Sequence, residues 1–154
     1  MKPITVTKGD FYITSDQKKF DFDKIFDFIS NRTYWAKNAP FETVKKSVIN
    51  SLSFGVFYKN KQIGFARIIS DYSTIAYLGD VFIEEEYRGQ GLSKWLMDVI
   101  VAHPELQGLR RWILLTVDAH KLYEKYGFKA IPKPEVYMER YDPEIYIKSR
   151  QTVK

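Results

Sequence analysis

The stretch 80–100, DVFIEEEYRGQGLSKWLMDVI, decides how this chain folds. An apolar strand runs into three glutamates, and the chain then enters a helix through Arg88-Gly89-Gln90-Gly91. Glycine loses more backbone entropy on folding than any other residue, so two glycines in three positions make a costly connection. Either something approaches that backbone closely or the turn is unusually tight. The helix behind it is the clearest in the sequence. Leu92, Trp95, Leu96, Val99 and Ile100 recur at i, i+3, i+4, i+7 and i+8, one broad apolar face.

Working outward, TIAYLGDVFI (74–83) reads as the strand before the turn, and RRWILLTV (110–117) as a buried strand after the helix. Strand, glycine turn, helix and strand make a crossover unit, which places the two strands parallel. Upstream, SFGVFYK and QIGFARIIS are joined at Asn60-Lys61 as a hairpin, so 52–83 reads as an antiparallel meander. Helical spacing appears in 20–31, with Phe22, Ile25, Phe26 and Ile29 on one side. It appears again after Pro40, with Phe41, Val44, Val48 and Ile49. The loop between them, RTYWAKNA, carries Tyr34-Trp35. A last helix presents Ala119, Leu122, Tyr123 and Tyr126, with Asp118 placed to cap its start and Gly127 its end. EVYMERY (135–141) reads as a final strand. The expected fold class is α/β: a mixed, mostly antiparallel sheet flanked by helices, in one domain over 1–154.

Composition narrows the function classes. Hydrophobic residues at 45% and aromatics at 16% indicate a folded globular chain long enough to bury a core without staples. No apolar run reaches the roughly 18 residues that span a bilayer, and MKPITVTKGD lacks a signal-peptide core, so a cytoplasmic protein without membrane contact is expected. The absence of cysteine excludes disulfides, thiolate metal sites and a thioester on the enzyme; no metal is expected. A net charge of +5 suits an anionic ligand, but the basic residues form no run and no nucleic-acid motif, so no nucleic-acid partner is expected.

A helix N-terminus offers unpaired N–H groups and a partial positive charge, and glycines before it keep side chains out of an anion's way. Residues 88–93 therefore read as a phosphate cradle with Arg88 adding charge, although a ligand-free tight turn fits the tetrapeptide equally well. The turn matches neither GxGxxG nor GxxxxGK[ST]. Arg88-Gly89-Gln90-Gly91-Leu92-Ser93, preceded by LGDVFI and followed by LYEKYGF, resembles the GCN5-related N-acetyltransferase (GNAT) family over roughly 52–141. Its signature is Gln/Arg-x-x-Gly-x-Gly/Ala opening a helix, then Asn-x-x-Ala-x-x-Phe-Tyr ending in Gly-Phe. Arg88, Gly91, Ala119, Tyr123, Gly127 and Phe128 fit; Ser93 stands where Gly or Ala is usual and Thr116 where Asn is usual.

The resemblance implies acetyl-CoA as donor. Its pyrophosphate would lie on Arg88, Gly89, Gln90, Gly91, Leu92 and Ser93, and its pantetheine arm would pair with Val81, Phe82 and Ile83 like an added strand. It further implies that the strands equivalent to 74–83 and 112–117 splay apart to admit the arm, and that Tyr123 faces the departing sulfur. Lys94, Lys121 and Lys125 are the nearest cations in sequence for the remaining phosphates or are solvated helix surface, and Glu84, Glu85 and Glu86 are expected to face solvent. Asp80 is the first choice for general base because its strand reaches the reacting carbonyl. His120 reads as helix surface, Asp71 as a turn former and His103 as a helix-terminus residue. A backbone N–H near Phe82 is the expected donor to the carbonyl oxygen. Tyr34 and Trp35 lie where the family places an acceptor-binding loop, and an aromatic lid there would stack on an organic cation. The acceptor that the resemblance implies is a small-molecule or peptide amine. The oligomeric state stays open between monomer and homodimer, and a noncatalytic acyl-CoA-binding module is the rival reading.

Overall fold

The computed structural model describes residues 1–152. The chain opens with a hairpin of β1 (Thr5–Lys8) and β2 (Phe11–Thr14). This hairpin escapes the sequence reading because β1 is exposed along its whole length and so carries no apolar periodicity. Helix α1 (Phe22–Phe26) starts where the Asp21 carboxylate accepts the Lys24 N–H at 3.0 Å, and it widens into a turn of π-helix over Asp27–Arg32. Helix α2 (Phe41–Ile49) begins after Pro40 and buries Val44 and Val48, while Ile49 turns out to solvent.

The meander follows as expected: β3 (Leu52–Tyr58), β4 (Lys61–Ser70) and β5 (Ile75–Ile83) are mutually antiparallel. The glycine turn leads into α3 (Leu92–Val101), which returns the chain to β6 (Arg111–Leu114). β6 runs parallel to β5, from Ile75↔Arg111 to Leu78↔Leu114. The sheet order is β1-β2-β3-β4-β5-β6. Two short-to-medium helices complete the chain, α4 (His120–Glu124) and α5 (Ile145–Thr152).

Each sheet face has its own core. Ala66, Ile68, Ala76 and Leu78 point toward Leu96, Met97 and Ile100 of α3. Phe57, Phe65 and Phe82 point the other way, toward Ile25, Phe28, Ile29, Val44 and Val48. At the far end of β5, Phe28 stacks on Phe82 with ring centroids 3.7 Å apart. Among the described residues no helix is long and apolar enough to cross a membrane.

Three expectations need correction. The apolar run 110–117 is a strand only over Arg111–Leu114; Leu115 and Val117 lie beyond it and are 76% and 70% exposed. EVYMERY is not a strand: it passes through a short 3-10 turn at Pro134–Val136 and continues exposed, with Arg111 over the Tyr137 ring at 5.9 Å. Asp118 does not cap α4. No side chain does: Ala119 stands at the N-cap, and Thr116 Oγ1 accepts the Ala119 N–H at 3.0 Å, fixing the turn that leads into the helix.

His103 closes the end of α3 as more than a terminus residue. It is buried, its Nδ1 accepts the Glu105 N–H at 3.2 Å, its ring meets Phe54 edge-on at 5.8 Å, and Nε2 has no partner. Burial lowers its pKa, against a smaller opposing effect of Glu105. The folded state thus holds His103 neutral while the unfolded chain takes up a proton near pH 6.5. The stability this contributes is complete above that pH and is lost as pH falls through the lower folded value. Melting temperature is expected to drop on going from pH 7 to pH 5, and to drop less in His103→Asn, whose Oδ1 can accept the same N–H without titrating. Parallel curves for the two proteins would remove His103 from the acid response.

Candidate active site

The site begins with a mismatch between β4 and β5. Arg67 pairs with Gly79 and Phe65 with Phe82, so three residues of β4 face four of β5. The extra residue makes a bulge, and Asp80 sits in it with φ of 54°, a left-handed conformation unusual for a residue with a side chain. Strand alternation would put Asp80 on the α3 face with Ala76 and Leu78. The bulge resets that alternation, so Asp80 points to the opposite face, where Arg67 Nε donates to its Oδ2 at 2.6 Å. Trp35 Nε1 donates to Oδ1 at 3.2 Å from the loop between α1 and α2. Two residues proposed from sequence for different roles, Asp80 and Trp35, are therefore in direct contact. Tyr34 packs edge-on against Trp35 at 5.1 Å and stands largely exposed.

Past the bulge, β5 loses its partner on one side. Pairing with β6 ends at Leu78↔Leu114, so Val81, Phe82 and Ile83 have β4 on one flank and an open edge on the other. The Glu84 N–H donates to the Ile63 carbonyl of β4 at 2.7 Å. By alternation the Phe82 amide also turns to β4, and the Ile83 amide turns to the open edge. The donor expected near Phe82 is thus one of its neighbours on the open edge, Val81 or Ile83. Arg88 Nε donates to the Ile83 carbonyl at 2.9 Å, which ties the start of the glycine turn to this edge.

At the turn, Gly89 and Gly91 have φ of 79° and 78°. A Cβ on either would meet no protein atom, so what demands glycine is the left-handed backbone, and the space above it is open. Gly91 caps α3, whose first internal bond is the Trp95 N–H to the Gly91 carbonyl at 3.0 Å. The amides of Leu92, Ser93 and Lys94 are left to face that open space. Of the three glutamates, Glu85 and Glu86 are exposed, Glu86 lying 3.3 Å from Lys61. Glu84 does not face solvent. It accepts both Arg32 Nη atoms, at 3.0 and 2.7 Å, and that pairing holds its carboxyl below the usual range.

Tyr123 is buried in the core between α3 and the sheet, its ring 6.0 Å from that of Phe128. Among the described residues its hydroxyl makes no hydrogen bond, and burial, with a smaller effect of Asp118, raises its pKa. Its neighbour Tyr126 is tied down: its hydroxyl bonds Asp98 at 2.7 Å and the Lys94 carbonyl at 2.8 Å, and burial and the Asp98 bond push its pKa up to about 12. Thr116 spends its hydroxyl on the Ala119 amide, inside the chain. Asp71 is a turn former as expected, accepting the N–H groups of Ser73, Thr74 and Ile75. His120 is exposed at the start of α4, away from any bond in the described residues. Arg67 and Arg32 were not singled out from sequence. For Arg67 the signal is a cation between Ala66 and Ile68 in the otherwise apolar stretch 63–69.

The model of the acetyltransferase (GNAT) domain family matches residues 50–130, which hold β3 through α4 and so the bulge, the open edge, the glycine turn and Tyr123. The chain belongs to the GNAT family. A GNAT protein of Xanthomonas campestris pv. campestris has a crystal structure to which this chain is 48% identical, covering 88% of this chain and 96% of that one with a TM-score of 0.86. A Gibberella zeae protein classed among the acetyltransferases is 30% identical over 146 residues, 80% of this chain and 81% of its own length. A GNAT acetyltransferase of Elizabethkingia anophelis, solved with acetyl-CoA bound, shares the fold at 14% identity and a TM-score of 0.60, covering 88% of this chain and 90% of that one.

Because the Thr116 hydroxyl fixes the turn that leads into α4, Thr116→Val is expected to cost about 1 kcal/mol, the usual net worth of one hydrogen bond, and Thr116→Asn to cost little. Urea denaturation of the three proteins measures the difference; equal midpoints would mean that the Thr116 bond does not hold this turn in place.

Proposed function

We propose that this GNAT protein is an acetyl-CoA-dependent N-acetyltransferase that moves an acetyl group directly to a primary amine of a small molecule or peptide, with 1–154 acting as a single acetyltransferase domain. The observation that carries the reading is the open edge of Val81–Ile83 leading straight into a glycine turn with free amides. An extended amide-bearing arm ending in a pyrophosphate fits that sequence of surfaces, and the acetyl-CoA complex of the E. anophelis relative supports the choice. Bound there, acetyl-CoA supplies an activated acetyl thioester.

The chain's residues divide the remaining work. Arg88, Gly89, Gln90, Gly91, Leu92 and Ser93 cradle the pyrophosphate, and Val81, Phe82 and Ile83 hold the arm. The open-edge amide of Val81 or Ile83 donates to the thioester carbonyl oxygen. Tyr34 and Trp35 flank the entry of the acceptor, and Asp80 accepts a hydrogen bond from its amine. An alkylammonium with a pKa of about 10.4 costs about 4.6 kcal/mol to deprotonate at pH 7, and a positioned base returns roughly 10²–10⁴ in rate. Tyr123 donates a hydrogen bond to the departing sulfur. Full proton transfer is uphill, since a thiol near pKa 8.5 lies below tyrosine's 10 and burial raises Tyr123 further.

Calorimetric titration with acetyl-CoA is expected to show micromolar binding in the parent and none in Gly91→Glu, which sets a carboxylate into the cradle. No binding by the parent would end this reading. Because the chain has no cysteine, a thiol reagent reports released CoA alone while amines and peptides are screened. Tyr123→Phe is expected to lower turnover about 10- to 100-fold, the worth of a charge-assisted hydrogen bond, with acetyl-CoA affinity nearly unchanged. Full turnover in that variant excludes Tyr123 from the chemistry, and binding without amine-dependent release across the panel marks a binding module.

A further inference from the structure

We propose that Arg67 is a positioning residue of the acceptor site: its charge, held against Asp80, keeps the docked amine neutral and therefore nucleophilic. The inference rests on the reading that Asp80 contacts the amine.

Arg67 lies in mid-strand between Ala66 and Ile68, both fully buried, and its side chain is only 18% exposed. Placing a guanidinium there carries a desolvation cost that an apolar residue would not. Two of its nitrogens are bonded. Nε donates to Asp80 Oδ2 at 2.6 Å and Nη1 to Ser51 Oγ at 3.2 Å, and Ser51 in turn donates to the Ser47 carbonyl of α2 at 2.7 Å. The groups meeting Asp80 are Arg67 from β4, Trp35 from the α1–α2 loop and, on β5, Tyr77, whose phenol is held up by burial and by the Asp80 charge. Arg67 is the cation of that set.

The side chain of Asp80 is 10% exposed, which at such depth makes its charge count. A lone carboxylate in that position would bind an ammonium tightly and hold it protonated, the form with no lone pair to react. Next to Arg67 the local charge is near zero, so the carboxylate can accept an N–H from a neutral amine without fixing a full cation. Two of its roughly four acceptor positions are taken, by Arg67 and Trp35, which leaves room for that bond. The ammonium loses its first proton to bulk water on docking; the second N–H proton leaves through Asp80 as the C–N bond forms and the C–S bond breaks, with CoA departing as the thiolate. The acceptor class that follows is a primary amine whose reacting end carries no compensating anion.

The test uses n-butylamine as probe, with acetyl-CoA saturating for the rates and CoA in its place for the binding. The neutral replacements Arg67→Gln and Arg67→Met are compared with the parent, so that either one that folds carries the test, and Arg67→Lys keeps the charge. Binding of butylammonium at pH 7 is read from the Asp80 carboxyl carbon by NMR, and the pH profile of CoA release is recorded. Neutral replacement is expected to tighten butylammonium about tenfold and move the acidic limb of the rate up by about one pH unit, with Arg67→Lys staying near the parent. Unchanged affinity and an unmoved limb overturn the proposal, as does an Asp80 carbon that does not respond to butylammonium in any protein. Asp80→Asn separates this from the reading beneath it. If that variant releases CoA at the parental rate, Asp80 is not the amine's contact and the underlying reading falls. If it is impaired while the Arg67 limb stays put, the Arg67 proposal alone falls.

Discussion

Between Phe65 and Arg67 the fourth strand is one residue shorter than the stretch of β5 that faces it, and the site depends on that mismatch. β5 has two incompatible duties. Up to Leu78 it must bond β6, because a crossover needs its second strand docked; beyond that it must leave its amides free. A regular strand of nine residues would continue both ladders or neither. The bulge bends β5 just where pairing with β6 stops, and it turns Asp80 from the α3 face to the face shared with Arg67. One inserted residue therefore opens the edge and aims the carboxylate. The left-handed backbone at Asp80 is held there by two hydrogen bonds to its side chain, from Arg67 and Trp35.

The same end of the sheet has to receive an anion beside three glutamates, and the structure resolves that conflict by pairing. Arg32 takes Glu84 in a bidentate contact while lying over Phe28, which stacks on Phe82. The ion pair thus also holds Phe82 within the open-edge segment. Lys61 meets Glu86 at the exposed rim, where such a pair contributes little to stability, yet it offsets a charge that would oppose phosphate. Arg88 is drawn inward to the Ile83 carbonyl, so the cation of the turn serves first to fix the turn.

Much of this was legible in the sequence because it rests on periodicity and punctuation. Leu92 through Ile100 show a helical stripe, TIAYLGDVFI a strand, and Gly89 and Gly91 a turn whose φ angles only glycine adopts readily. What stayed hidden depends on pairing. A bulge leaves no mark on one strand read alone, so neither the turn of Asp80 toward Arg67 nor the facing of the Ile83 amide could be read. RRWILLTV looked buried because its residues are apolar, yet Leu115 and Val117 project where the sheet has already parted. EVYMERY has the alternation of a strand but no ladder, and alternation is no evidence of a partner. Glu84 reads as surface from its company in a charged run. Its partner Arg32 is 52 residues away in sequence.

The two tyrosines of LYEKYGF show how the site gains definition without extra residues. Tyr123 lies in α4, a helix of only five residues that cannot hold its own position, and Tyr126 lies just past its end. Tyr126 fastens it to α3 through Asp98 and the Lys94 carbonyl, Thr116 fastens the turn that leads into it, and Gly127 ends it with a left-handed residue. With the helix pinned at both ends, the Tyr123 ring is set against Phe128 and its hydroxyl is spent on no protein group. A tyrosine bonded to a carboxylate, as Tyr126 is, would have its O–H committed before any substrate arrived. Chemistry needs the donor that is held in place by others and left free itself, and in this segment that is Tyr123.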